Sequence, residues 1–123
     1  MTNAKNVYGP QIADHAFAFL LALTRKLNVS IPRQQLEEWP AGRDGMFELN
    51  GKTAVIIGVG GIGSQIAQRA HGFGMKVIGV DIRDVPTSNM IQRVVPPGHV
   101  EFGAARSGRG LRLGAAHRRR ARA

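Results

Sequence analysis

In the stretch "VIIGVGGIGSQIAQRAHGFGMKVIGVD", Val55 to Asp81, three glycines and one acid have the types and spacing for chemistry. Gly58, Gly60 and Gly63 read G-x-G-x-x-G, and Asp81 follows Gly63 by 18 residues (81 − 63). Gly58 permits a tight turn out of a strand, Gly60 lets backbone approach a ligand, and Gly63 lets a helix pack close to that strand. The N–H groups of Gly61, Ile62 and Gly63 then lie at a helix N-terminus, where four donors lack intrahelical partners and attract phosphate. A carboxylate at Asp81 can accept both hydrogen bonds of a ribose diol and repel a 2′-phosphate. The pattern therefore points to a dinucleotide, with NAD favoured over NADP. Arg83, two residues on, weighs the other way, because an arginine there can accept that phosphate. G-x-G-x-x-G alone is a weak signal; a strand before it, a helix after it and an acid closing the next strand make it strong.

The elements that must position these residues follow from apolar periodicity. Thr53–Ile57 is a β-branched run whose near-continuous apolarity suggests a strand covered on both faces. From Gly61 to His71 a helix is predicted, with Ile62, Ile66 and Ala70 as its apolar stripe and Gly72 and Gly74 as its stop. Lys76–Val80 is a second strand. Strand, helix and strand make a right-handed βαβ unit with parallel strands. Upstream, Ile12–Leu27 is predicted as one long helix, apolar nearly all round, with Arg25 and Lys26 suiting the dipole at its end. The connector to the first strand carries Pro32 and Pro40, at most a helical turn at Arg33–Glu38, and Trp39 placed to cover an apolar edge. The fold class expected is α/β: a partial Rossmann unit preceded by a long apolar helix.

Charge divides the chain in two. Residues 1–92 hold nine Lys/Arg and seven Asp/Glu, whereas residues 93–123 hold eight Arg against Glu101 alone. The net +9 is thus largely a property of the tail. Beyond Pro97 neither a period of 2 nor one of 3.6 persists, so residues 98–123 read as a disordered basic tail and 1–97 as the domain. The tail's seven arginines would attract phosphate, so a nucleic-acid-binding tail, residues 98–123, is the alternative reading; with Phe102 as its one aromatic, the tail reads instead as solvated sequence. The chain has no cysteine, hence no disulfide and no thiolate metal site, which suits a reducing cytoplasm. "AFAFLLAL", Ala16–Leu23, is the longest apolar run of the first helix, far short of the roughly 20 residues that span a bilayer.

Across roughly Thr2 to Pro97 the sequence resembles the D-isomer-specific 2-hydroxyacid dehydrogenases. "YGPQIADHAFAFLLALTRKL" is similar to the helix that opens their cofactor domain and packs in their dimer interface. "LNGKTAVIIGVGGIGSQIAQRAHGFGMKVIGVD", with Trp39 before it, is similar to their nucleotide fingerprint. The resemblance implies that Gly58, Gly60, Gly61, Ile62 and Gly63 cradle the pyrophosphate, that Asp81 holds the ribose, and that Ile82 and Arg83 lie beside the adenosine. It implies a homodimer, or a complementing chain, joined through Ile12–Leu27. It also implies a substrate domain formed largely by preceding chain, and a catalytic arginine, glutamate and histidine well beyond this segment. No residue here matches that trio; His15 is expected to be a helix-packing residue. The chain is therefore expected to be a catalytically incomplete middle slice, with a tail like an out-of-frame read of GC-rich coding DNA.

Overall fold

The structure, a computed structural model, describes residues 7–39 and 45–99. It has six elements: α1 (Gly9–Thr24), α2 (Leu27–Gln35), β1 (Thr53–Ile57), α3 (Gly61–Gly72), β2 (Lys76–Val80) and β3 (Arg93–Val95). The sheet order is β1-β2-β3, all parallel, with Thr53 opposite Lys76, Ile57 opposite Val80, and Val80 opposite Val95. Both expected strands and the helix between them lie where the sequence placed them. The expected tail lies, beyond His99, outside the described residues.

β3 was not anticipated. "RVV" is too short to show a period, and no helix leads into it. Its chain leaves β2, crosses through residues 81–92 and returns parallel, close to the minimum of about a dozen residues for such a crossover. A bridge between Ser88 and Ile91 folds the connection, and buried Ile91 plugs it into the core.

The helix expected over Ile12–Leu27 is two helices. α1 ends at Thr24, and Lys26 takes a left-handed conformation (φ 58°) that turns the chain into α2. Arg25 and Lys26 donate backbone N–H to Leu21 and Leu23 carbonyls, closing the last turn. The buried Thr24 carbonyl accepts from Phe47 N–H, which fixes the break to the strand lead-in. The single turn expected at Arg33–Glu38 is replaced by α2, which starts at Leu27, runs through Pro32 and ends at Gln35, with Glu37 in a left-handed conformation (φ 56°). Trp39 covers no edge; it is 95% exposed.

α1 is not buried all round. Gly9, Ala13, Phe17 and Thr24 face inward, while Ile12, Phe19 and Leu23 stay exposed. Contacts place α1 parallel to α3: Gly9 lies against Gly61, the Asp14 carboxylate accepts from Arg69 Nε at 2.6 Å, and Phe17 stacks on Phe73 at 5.3 Å. Arg69 also donates to the Pro10 and Gln65 carbonyls, so one guanidinium ties both helices together. On α3 the buried stripe is Gly63, Ala67 and Ala70, rotated from the expected Ile62–Ile66–Ala70; Ile62 is exposed. Small residues sit inward because α3 lies close to the sheet, as the Gly63 contacts below show.

Parallel partners share a face. Ala54, Ile56, Val77, Gly79 and Val94 therefore look toward α3, where the core lies. Val55, Ile57, Ile78 and Val80 look the other way. Val80 is buried there, but Ile57 is 66% exposed, so the expectation of β1 covered on both faces does not hold.

Candidate functional site

The glycine loop leaves β1 and enters α3 at the C-terminal end of the sheet. Gly58 has φ 88°, a left-handed value that side chains rarely adopt, and its N–H donates to Val80 O at 2.7 Å. Gly63 is required by packing: a Cβ there would collide with the Gly58 carbonyl oxygen and lie 3.3 Å from Ile56 Cγ2. Gly60 differs from both. Its φ of −92° suits any residue, and a Cβ on it would meet only Arg83 Nη2, at 3.9 Å. Nothing within the described chain demands glycine at position 60. The space over it is open, as close approach of a pyrophosphate would require.

Val59, the variable position between the first two glycines, holds the loop down. Its side chain is buried and packs over Gly79 in mid-β2, where a Cβ would come within 2.6 Å of Val59 Cγ2. Its N–H donates to Asp81 Oδ2 at 2.9 Å. Sequence reasoning missed the seating of Val59 over Gly79; the glycine inside β2 was the available signal, since such a residue marks close approach of other chain.

Asp81 thus does two jobs. It closes β2 and clamps the loop, its side chain only 5% exposed. Arg83 binds it as well: the backbone N–H donates to Oδ1 at 2.9 Å, Nε to Oδ1 at 3.2 Å, and Nη2 to Oδ2 at 3.1 Å. The Arg83 side-chain and backbone bonds, then that from Val59, hold the Asp81 carboxyl well below the usual carboxylate range. The same pairing raises Arg83 further above its ordinary value. Ile82 between them is 87% exposed.

The structure brings Gly58, Gly60, Gly61, Gly63, Asp81 and Arg83 to one end of the sheet. Gly60 is the N-cap of α3, and no side chain caps it, so the first N–H groups stay available. The N-terminus of α1, also without a side-chain cap, lies alongside: a Cβ on Gly9 would be 3.6 Å from the Gly61 carbonyl oxygen. Two positive helix ends therefore meet beside the loop, and each favours an anion. His15, His71 and His99 are exposed; His15 packs edge-on to Phe19, one turn along its own helix, at 4.6 Å. His117 lies outside the described residues. Among the described residues no group of three His, Asp or Glu could hold a metal ion, and no helix is long and apolar enough to cross a membrane.

Comparison with known proteins decides the family. The description "D-isomer specific 2-hydroxyacid dehydrogenase, NAD binding domain" matches residues 17–101. The chain belongs to that family. It is 39% identical over 85 residues to a glyoxylate reductase of Thermococcus litoralis, covering 63% of this chain and 26% of that protein. It is 42% identical over 78 residues to a D-3-phosphoglycerate dehydrogenase of Bacillus subtilis, covering 61% of this chain and 14% of that protein. The fold matches a D-isomer specific 2-hydroxyacid dehydrogenase family protein of Aeromonas salmonicida with a TM-score of 0.65 at 30% identity, over 78% of this chain and 29% of that one. The chain therefore spans about a quarter or less of the length of the curated relatives it matches. What it shares with them is an NAD-binding domain of an oxidoreductase family, in part.

Proposed function

We propose that this chain binds NAD across Gly58–Gly63 and Asp81, as the nucleotide-holding part of an oxidoreductase acting on 2-hydroxy and 2-oxo acids in the cytoplasm. The observation that carries the reading is the contrast at Gly60: packing explains Gly63 and backbone conformation explains Gly58, whereas neither accounts for Gly60, which lies open at the N-terminus of α3 where a pyrophosphate would approach. The N–H groups of Gly61, Ile62 and Gly63 would hold the pyrophosphate, helped by the paired helix ends. Asp81, already fixed by Val59, would accept the hydroxyls of the adenosine ribose, with Ile82 and Arg83 flanking the adenosine. Bound NAD supplies a hydride acceptor. These residues bind and orient it, and none is placed to move the substrate's proton. Alone, the chain should show no dehydrogenase activity. The exposed face of α1, with Ile12, Phe19 and Leu23, would carry a second copy of the chain.

Calorimetric titration of NAD and NADP into the full chain tests the reading. NAD should bind and NADP more weakly, because Asp81 faces the 2′ position with a negative charge. Asp81→Ala should weaken NAD by on the order of tenfold or more, since charged-group hydrogen bonds and the loop clamp go together. Equal NAD binding by wild type and Asp81→Ala would refute the assignment. Oxidation of NADH with glyoxylate by the purified chain would refute the claim of catalytic incompleteness.

A further inference from the structure

The Asp81 carboxylate makes four hydrogen bonds. Oδ1 accepts from the Arg83 backbone N–H and Nε; Oδ2 accepts from the Val59 N–H and Arg83 Nη2. A carboxylate offers about four lone-pair positions, so its capacity is full. Two of the donors are backbone groups, fixed by the loop and by the end of β2. The other two belong to one guanidinium, which places one bond on each oxygen. The Arg83 side chain is 64% exposed while that of Asp81 is 5% exposed, so the arginine can swing into solvent and the aspartate cannot follow. Arg83 Nη2 also stands over the glycine loop, at 3.9 Å from where a Gly60 Cβ would be.

A ribose diol needs two acceptor positions on Asp81. Vacating the backbone pair would mean dismantling the loop; vacating the guanidinium pair takes a side-chain rotation. We propose that Arg83 is a latch on the nucleotide site, its fork holding the two Asp81 positions that the ribose must take. This rests on the reading of Asp81 as the ribose acceptor. NAD binding is then an exchange, one bidentate partner for another, and Arg83 lowers affinity although it is a cation beside a pyrophosphate. A surface cation that merely attracted phosphate would raise it. The two roles have opposite signs.

Arg83→Ala and Arg83→Lys in the full chain separate them. Lysine keeps the charge but cannot form the fork. NAD affinity, read by calorimetry, should rise about two- to fivefold in Arg83→Ala, the range expected when an exposed ion pair no longer competes. Arg83→Lys should also tighten NAD, by less. Weaker binding by Arg83→Ala with wild-type affinity in Arg83→Lys would overturn the latch, and so would no change in either. A second measurement follows the Arg83 Nε–H resonance by ¹⁵N NMR. In wild type it should be displaced from the free-arginine position, return there in Asp81→Asn, and move toward it as NAD saturates the protein. A resonance that stays put while NAD binds would overturn the latch and leave the NAD reading standing. A displaced resonance in a chain that binds no NAD would overturn the NAD reading and the latch with it.

Discussion

At the end of β2, Gly58 N–H bonds to Val80 O, Val59 N–H and Arg83 N–H bond to Asp81, and the Val59 side chain fills the space over Gly79. Along the outside of α1, Ile12, Phe19 and Leu23 stand 43%, 61% and 45% exposed, and α2 buries none of its residues. The first region is over-determined: Gly58 and Val59 are held by backbone bonds to Val80 and Asp81 and by packing over Gly79, all within residues 53–95. The second is under-determined, apolar enough to drive burial yet packed, among the described residues, only on its inner side, against α3 and the lead-in to β1. Hydrophobic area is non-directional, whereas hydrogen-bond geometry is specific. The nucleotide site should therefore form wherever this βαβ unit forms, while the helices should depend on what else is present.

The sharpest way to break the first region is Gly63→Val. Its Cβ would be driven into the Gly58 carbonyl, which is backbone and cannot rotate away. The expected loss is about 3 kcal/mol, near the top of the usual range for overfilled packing. Urea denaturation followed by far-ultraviolet circular dichroism reads it; a wild-type midpoint would show that α3 does not need its close seat on β1.

Gly60→Val, three residues away, should do the opposite. Its backbone is extended and a Cβ there meets only Arg83 Nη2 at 3.9 Å, so the unfolding free energy should change by less than about 0.5 kcal/mol. NAD binding should be lost. The pair of variants divides the loop into a glycine kept for folding and a glycine kept for the ligand. Loss of folding in both would collapse that division.

What could be read in the sequence follows the same line. The strands Thr53–Ile57 and Lys76–Val80 and the helix from Gly61 were legible because local pattern and long-range packing agree there. The spacing of Gly58, Gly60 and Gly63 carried the loop, and Asp81 followed as the acid closing β2. β3 was not legible, since three residues carry no period and its place depends on pairing with β2 through Gly79, distant in sequence. The break at Lys26 was hidden because the apolar spacing continues through Leu27; the turn is set by Thr24 bonding to Phe47, a tertiary contact. The clamp from Val59 to Asp81 was invisible for a similar reason: a backbone N–H leaves no mark in the choice of side chain. Trp39 and Ile57 misled in the other direction. Their apolarity reads as burial, yet both are exposed.

Charging the outer face of α1 sharpens the second half of the comparison. Phe19→Glu with Leu23→Lys should change intrinsic stability by no more than about 0.5 kcal/mol per site, because neither side chain is buried in the single chain. If this face carries a second copy, sedimentation velocity should show the wild type associating as its concentration rises and the variant remaining monomeric. The same oligomeric state for both would move the contact elsewhere, with the exposed residues of α2 (Val29, Ile31) the next to test.

The smallest effect expected is silent near neutral pH and appears only in acid. The folded state holds the Asp81 carboxyl below its ordinary value near 3.8, chiefly through the bonds from Arg83 and then the Val59 N–H. A group whose folded value is depressed stabilises the fold fully above its unfolded value and loses that contribution as pH falls toward the folded one. Between pH 8 and pH 5, a range above both values, Asp81 should therefore contribute no pH dependence to stability. Below about 3.8 the unfolded chain takes up a proton that the folded chain refuses, and stability should fall. Arg83, raised from an already high value, adds nothing in this range. The side-chain carboxyl ¹³C shift of Asp81, followed by NMR from pH 6 downward, should keep its ionised position below pH 3.8, where an ordinary aspartate is already half protonated. Asp81→Asn should flatten the acid limb of the stability curve relative to wild type. A carboxyl titrating at the ordinary value would mean that the Val59 and Arg83 bonds do not persist in solution, and the over-determined region would lose its clamp.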